Sequence, residues 1–378
     1  MMKSIKLMGD QLTFGSGALK EIGNVNAEKF FIVVGGQSAF LHGTMDKVED
    51  ILVGAGKDFM LCSGIPANPS TSIVLNGVEK MREFKPDVVL AIGGGSVIDA
   101  AKVMTLFYEY PKLSFDLDFD TYKLPQSRKF VKLVAVPTTS GTGTEVTKAA
   151  VITFKKKNIK IGLKSNAFVP DLAILDPDLT LSMPPHVVAE TGLDALTHAV
   201  ECYLNHNLDD FTEPIALSAI EGLMKYLPLS YEENTLEYRE KVHHYQCLAG
   251  MAFTNVGLGM AHGISHAFGG RYNYGHGLLN GIALPYVVCF NARDEIVKAK
   301  LTRISERLQV ENFVETLFAL NERLNMPKGF HSMGLAKDTF ERDLQELVED
   351  SLKGSTRRNP VQITPEEMRT LLLELMEH

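Results

Sequence analysis

Apolar residues follow two rhythms along this chain. Up to about Leu181, short continuous runs alternate with stretches of helical spacing. FFIVVGG (Phe30 to Gly36) is apolar, β-branched and closed by glycines, which predicts a buried strand. TMDKVEDILVGAG then has helical spacing and a glycine stop. FMLCSGI predicts another strand, and STSIVLNGVEKMREFK predicts a helix capped at Ser70 or Thr71. DVVLAIGGGS reads as strand then glycine loop, with VIDAAKVMTLFYEY as the helix behind it. FVKLVAVPTTSGTGTEVT repeats the strand-then-loop pattern. Alternation of this kind predicts a parallel sheet with helices on both faces.

Beyond Leu181 the strand rhythm fades. SMPPHVVAETGLDALTHAVECYL opens with Pro184 and Pro185, tolerated at a helix start. PIALSAIEGLMKYL, YREKVHHYQCLAGMAF, HGLLNGIALPYVVCFN, ENFVETLFALNERL and TPEEMRTLLLELMEH all have helical spacing. The fold expected is an α/β domain with a Rossmann-like parallel sheet over residues 1–181, then an all-α domain over residues 182–378. A chain of 378 residues fits two domains, because single cores stop growing near about 250–300 residues.

Composition narrows the class. Apolar residues make up 45% and charged residues 22%, ordinary for a globular protein. The net charge of −8 argues against a nucleic-acid partner, which selects a basic stripe. The basic run Lys155 to Lys157 reads as a solvated turn. Cys62, Cys202, Cys247 and Cys289 form no CxxC pair and read as small buried apolar residues in a reducing compartment. No stretch reaches the ~18 apolar residues of a membrane span, and the N-terminus lacks a signal-peptide pattern. The expectation is a cytoplasmic protein with no membrane partner.

Two loops point at phosphate. AIGGGSVIDAAK places three glycines and a serine between strand and helix, where backbone amides and the helix dipole attract anions. It is not the G-x-G-x-x-G fingerprint, since Ile98 stands where the third glycine belongs, and no Gly-Lys-Ser/Thr follows. PTTSGTGTEVT offers Thr138, Thr139, Ser140, Thr142 and Thr144 after the next strand. Two such loops at strand C-termini are where open α/β sheets bind ligands.

The helical half carries a different chemistry. Asp194 and His198 are four apart on a predicted helix, so their side chains share a face. GMAHGISHAFGGRYNYGHG holds His262 and His266, also four apart, and His276 ten further on. Gly269, Gly270, Gly275 and Gly277 leave room for a fold-back. One carboxylate and three imidazoles can close around a divalent ion. With no cysteine among the candidates, the set favours Fe(II) or Zn(II) over an iron–sulfur cluster.

These blocks together resemble the iron-containing (group III) alcohol dehydrogenase family over nearly the whole chain. The matching segments are GGGSVIDAAK, PTTSGTGTEVT, DPDLTLSMPP, TGLDALTHAVE, NVGLGMAHGISHAFGG and the HG at 276–277. The resemblance implies metal ligands at Asp194, His198, His262 and His276. It implies nucleotide contacts at Asn68, Gly94, Gly95, Ser96, Val97, Asp99, Thr138, Thr139, Thr147 and Lys160. It also implies an NAD(P)-linked alcohol dehydrogenase or aldehyde reductase, and at least a homodimer. In such an enzyme a divalent ion acidifies the alcohol, the nicotinamide takes the hydride, and His266 serves as proton relay or as an orienting group.

Two positions depart from the family pattern. Where YNxPHG is usual, the chain has Gly275 in place of proline, with Arg271 close by. An arginine there can grip a substrate carboxylate, which would suit 4-hydroxybutyrate or its semialdehyde. NAD-preferring members often carry an Asp where this chain has Gly35. Glycine removes the repulsion of a 2′-phosphate and so favours NADP(H). The rival readings are a glycerol dehydrogenase-like polyol enzyme and a metal- and nucleotide-binding scaffold without turnover.

Overall fold

The computed structural model describes residues 4–117, 122–154 and 159–377, so the Lys155 to Lys157 run lies outside the described residues. The chain divides into two compact units, Met1–Met183 and Pro184–His378. The first contains strands β1 (Gln11–Phe14), β2 (Lys29–Val34), β3 (Asp58–Cys62), β4 (Val88–Gly93), β5 (Lys132–Pro137), β6 (Ala149–Phe154), β7 (Ile159–Lys164) and β8 (Leu172–Leu175). Its helices are α1 (Ser38–Leu41), α2 (Thr44–Gly54), α3 (Thr71–Phe84) and α4 (Gly95–Glu109).

Six of these strands form one all-parallel sheet in the order β1-β8-β5-β4-β2-β3. Alternation along β2 explains why its sequence is apolar throughout. Phe31 and Val33 enter a core with Val74, Val78 and Met81 of α3 and Ile98 of α4. Phe30, Ile32 and Val34 enter a second core with Met45, Val48 and Leu52 of α2. A strand covered on both faces has no polar side to show. β6 and β7 stand apart as an antiparallel pair, from Ala149 opposite Lys164 to Phe154 opposite Ile159. The expected parallel sheet is present, and this hairpin is an addition to it.

Register fixes where the loops emerge. Val34 of β2 lies opposite Ile92 of β4, and Gly93 lies opposite Pro137 of β5. The segments that follow, starting at Gly35, Gly94 and Thr138, therefore leave the sheet at one level. The glycine segment is tighter than expected, because Gly95 and Ser96 already belong to α4. Ser70 is the N-cap position of α3, but its hydroxyl pairs with that of Ser72 at 2.9 Å rather than with the helix amides.

The second unit is helical among its described residues: α5 (Pro185–Leu204), α6 (Glu213–Glu233), α7 (Leu236–Val256), α8 (Met260–Tyr272), α9 (His276–Asn291), α10 (Glu295–Leu308), α11 (Phe313–Arg323), α12 (Lys337–Ser351) and α13 (Pro365–Glu377). α8, α9, α12 and α13 share a core built on Phe268, Ile282, Val287, Phe340 and Leu372. Among the described residues no single helix is long and apolar enough to cross a membrane. Only α7 and α8 taken together reach that length, across a 99° bend. Cys62, Cys202 and Cys247 are buried, whereas Cys289, near the end of α9, is exposed rather than part of the core.

Candidate functional site

Three helices of the second unit converge on the carboxylate of Asp194. α5 starts at Pro185, where a missing N–H costs nothing, and runs 20 residues. Helical spacing puts Asp194 and His198 on one of its faces, both buried. α8 supplies His262, also buried, and α9 begins at His276. The Nε2 atoms of His276, His262 and His198 lie 3.7, 3.9 and 4.0 Å from the same oxygen, Asp194 Oδ1. One ligand atom each from Asp194, His262 and His276 falls within a common 4.8 Å. His198 flanks them, stacked between Phe253 (4.3 Å between centroids) and His262 (4.6 Å).

The chain reverses between His266 and His276 without the glycine turn expected from sequence. Gly269 and Gly270 are inside α8, and the reversal falls at Asn273, which takes the left-handed conformation at φ 59°. Asparagine tolerates that region better than most residues. Gly277 has a different job. A Cβ there would come within 2.2 Å of the Glu190 carbonyl oxygen, so glycine lets α9 press against α5 and brings His276 to Asp194.

Electrostatics prepare these groups to bind a cation. Burial alone would raise the Asp194 pKa, but the imidazoles of His198, His276 and His262 and the Asn280 amide hold it below its usual value. Burial drives the His262 pKa well below normal, so its ring is neutral and keeps a lone pair. Asn280 Nδ2 donates to Asp194 Oδ1 at 2.7 Å, and its Oδ1 accepts from Ser265 Oγ. A carboxylate ringed by imidazoles, with no thiolate, is a donor set suited to Fe(II) or Zn(II). His266 is exposed and stacks on His276, centroids 5.1 Å apart, on the open side of the cluster.

Two other residues packed here have no counterpart among the sequence candidates. Glu201, seven residues after Asp194 on α5, places Oε2 2.7 Å from His262 Nδ1. Asn280 follows His276 by one helical turn. Both spacings are visible in the sequence, but their partners are not.

Arg271 faces α12 in the structure. Its guanidinium is paired with Glu346 and lies 3.5 Å from Asp343, both on α12. Two carboxylates of the chain itself already neutralise it, so it does not present a free cation for a substrate acid.

In the first unit the nucleotide candidates gather around the strand ends. A Cβ on Gly95 would come 2.6 Å from Thr142 Cγ2, so glycine here lets the threonine-rich loop close down on the start of α4. Thr138 N donates to Gly93 O at 3.1 Å, and a Cβ on Gly94 would sit 3.3 Å from Thr139 Oγ1. Asn68 N donates to Ser96 Oγ at 3.3 Å. Asn68 O accepts from Thr153 Oγ1, also at 3.3 Å, and Thr153 pairs with Lys160 across the hairpin. Burial lowers the Lys160 pKa. Gly35 lies beside Val97, whose Cγ2 is 3.3 Å from where a Cβ would stand.

Beneath these loops lies a buried cation. Lys102 Nζ donates to Thr144 Oγ1 (2.7 Å), Ala149 O (2.8 Å), Thr147 O (2.9 Å) and Thr147 Oγ1 (3.2 Å). Burial lowers its pKa to about 8 against the pull of Asp99 and Glu145. Asp99, expected to touch nucleotide, accepts instead from Thr144 Oγ1 at 2.6 Å and from Val151 N at 2.8 Å. Its position is that of a brace between α4, the threonine-rich loop and the hairpin.

Comparison with known proteins agrees with this arrangement of parts. The model of the iron-containing alcohol dehydrogenase family matches residues 10–177, and that of the C-terminal domain of the Fe-containing alcohol dehydrogenase family matches residues 188–376. An NADPH-dependent butanol dehydrogenase of Clostridium saccharobutylicum is 38% identical over 367 residues, covering 95% of this chain and 94% of that protein. A 1-propanol dehydrogenase of Citrobacter freundii is 34% identical over 99% of this chain and all of its own length. The solved structure of an iron-containing alcohol dehydrogenase from Thermococcus thioreducens superposes with a TM-score of 0.91 at 33% identity, over 100% of both chains.

Proposed function

The chain belongs to the iron-containing alcohol dehydrogenase family and is an oxidoreductase acting on CH–OH groups, and from that premise we propose that it interconverts small unbranched aliphatic aldehydes and alcohols using NADP(H). The observation that carries the reading is the single carboxylate oxygen of Asp194 surrounded by three imidazole Nε2 atoms. Asp194, His198, His262 and His276 would hold Fe(II), with Zn(II) as the alternative. Bound there, the ion would supply Lewis-acid polarisation of the substrate oxygen.

The protein's own residues then have distinct tasks. Burial keeps the His262 imidazole neutral, so it does not repel a cation. His266, exposed beside His276, carries a proton between the substrate oxygen and solvent. A bound nicotinamide would supply hydride acceptance from the carbinol carbon, and His266 is placed to take the hydroxyl proton. The loops at Gly94–Val97 and Thr138–Thr139 would hold the cofactor phosphates on backbone amides and hydroxyls. Gly35 brings no carboxylate to repel the 2′-phosphate of NADP(H), in keeping with the NADPH dependence of the Clostridium relative. Because Arg271 is already paired, butyraldehyde suits the site better than a semialdehyde acid.

The test is NADPH oxidation with butyraldehyde and with succinic semialdehyde, before and after chelation and Fe(II) repletion. Butyraldehyde reduction that chelation removes and Fe(II) restores is expected. Tight nucleotide binding without turnover of either aldehyde would favour the scaffold reading, and turnover of glycerol alone would favour the polyol enzyme.

A further inference from the structure

Glu201 joins two structural demands in one side chain. It is 5% exposed and reaches from α5 to the first turn of α8. Oε2 accepts from Gly259 N at 2.9 Å and lies 2.7 Å from His262 Nδ1, and Oε1 accepts from Ala261 N at 2.6 Å. Asn359 Oδ1 accepts from the intervening amide, Met260 N, at 3.2 Å. The first amides of a helix have no partner within it, and here side chains from elsewhere satisfy three in succession. A Cβ at Gly259 would stand 3.0 Å from both Glu201 Oε1 and Asn359 Oδ1, so glycine permits this close approach.

We propose that Glu201 is a positioning residue of the metal centre, which fixes His262 in the tautomer whose Nε2 lone pair faces Asp194. The proposal rests on the metal reading given above. Asn280 Nδ2, which donates to Asp194, also lies 3.2 Å from His262 Nε2, so that nitrogen faces a donor and is the acceptor, and the ring proton falls on Nδ1, 2.7 Å from Glu201. In a neutral imidazole the lone pair is then on the other nitrogen, Nε2, which is the atom 3.9 Å from Asp194 Oδ1. A carboxylate behind a ligating histidine fixes the ring and raises its basicity as a donor. Because the same carboxylate anchors the turn on which His262 stands, ring and backbone are aligned together.

Glu201→Gln separates the two tasks. The carboxamide has nearly the same shape, but an NH2 replaces one oxygen. With that NH2 toward His262, it donates to Nδ1 and drives the ring proton onto Nε2. With it toward Ala261, it opposes a backbone N–H. Asn359→Ala is the comparison, because it removes an acceptor from the same turn without touching the ring. The readouts are Co(II) affinity by chelator competition, the Co(II) absorption band, NADPH binding by fluorescence and the Tm of the metal-free protein.

Glu201→Gln is expected to weaken Co(II) binding roughly 10–100-fold and alter the band. NADPH affinity should stay at the wild-type value, and Asn359→Ala should lower Tm while keeping both Co(II) properties. Equal loss of Tm in the two variants, with wild-type Co(II) affinity and band in both, would reduce Glu201 to a helix cap and overturn the proposal. Should Glu201→Gln fail to fold, the ring 15N shifts of His262 in the metal-free wild-type protein decide. Protonation at Nδ1 is expected, and protonation at Nε2 overturns the proposal. A wild-type protein that takes up no Co(II) would overturn the metal reading itself.

Discussion

Lys102 in the first unit and Glu201 in the second are each a buried ionisable side chain at the centre of a set of hydrogen bonds, and they organise their surroundings differently. Lys102 collects oxygens from Thr144, Thr147 and Ala149 and so ties the threonine-rich loop to α4 and the hairpin. Every partner belongs to a neighbouring backbone segment, and the result is a loop shape. Glu201 collects two backbone N–H groups and one imidazole N–H, and the result is the orientation of a single ring. Nucleotide loops recognise phosphate through backbone amides, so fixing their path is enough. A metal centre needs each donor atom aimed, so a hub there has to reach the ligand itself.

Substitutions in each region should therefore fail in different ways. The largest effect is expected for His262→Ala, which should abolish turnover and metal retention while NADPH still binds. Wild-type activity with wild-type metal content would remove His262 from the site. Lys102→Met comes next. It removes the buried cation that faces Asp99 and Glu145 and should destabilise the protein by about 3–5 kcal/mol, the usual result of breaking a buried charge set. Folded molecules should lose NADPH affinity but keep their metal, and a fall in metal content at unchanged NADPH affinity would reverse the comparison.

Gly35→Asp sharpens the nucleotide side. A Cβ there meets Val97 Cγ2 at 3.3 Å and Ile65 O at 3.6 Å, so the side chain fits with a small adjustment. Repulsion of the 2′-phosphate should cut kcat/KM for NADPH by one to two powers of ten, roughly 1.4–2.8 kcal/mol, and spare NADH. Unchanged discrimination would show that Gly35 does not face the ribose. The smallest effect is expected for Arg271→Ala. A partly exposed ion pair contributes about 1 kcal/mol or less, and KM for butyraldehyde and succinic semialdehyde should change equally. A selective loss for the acid would return Arg271 to the substrate site.

What was legible in the sequence follows the same division. β2, β4 and β5 announce themselves as continuous apolar runs, and each ends where its loop begins. Asp194 and His198 were legible because a helix turns four-residue spacing into adjacency. β1 was not, because its four residues are exposed at both ends and half-buried between, and carry no periodic signal. α12 hides Phe340, Leu344, Leu347 and Val348 among many charges, although its period is helical. Glu201 stands seven residues after Asp194 on the same face, yet its partners are amides that reach it only through folding. Arg271 shows the complementary case. Its neighbours in sequence are the histidines, but its neighbours in space are Asp343 and Glu346.

The central claim is that the Asp194–histidine cluster is a divalent metal centre required for NADPH-linked reduction of a small aldehyde. Its most direct test is an anaerobic titration of metal-free protein with Fe(II), following NADPH oxidation by butyraldehyde at each addition. Activity should rise in proportion to bound iron and level off at a single ion per chain. Full activity in the metal-free protein, unchanged by added Fe(II), would contradict the account.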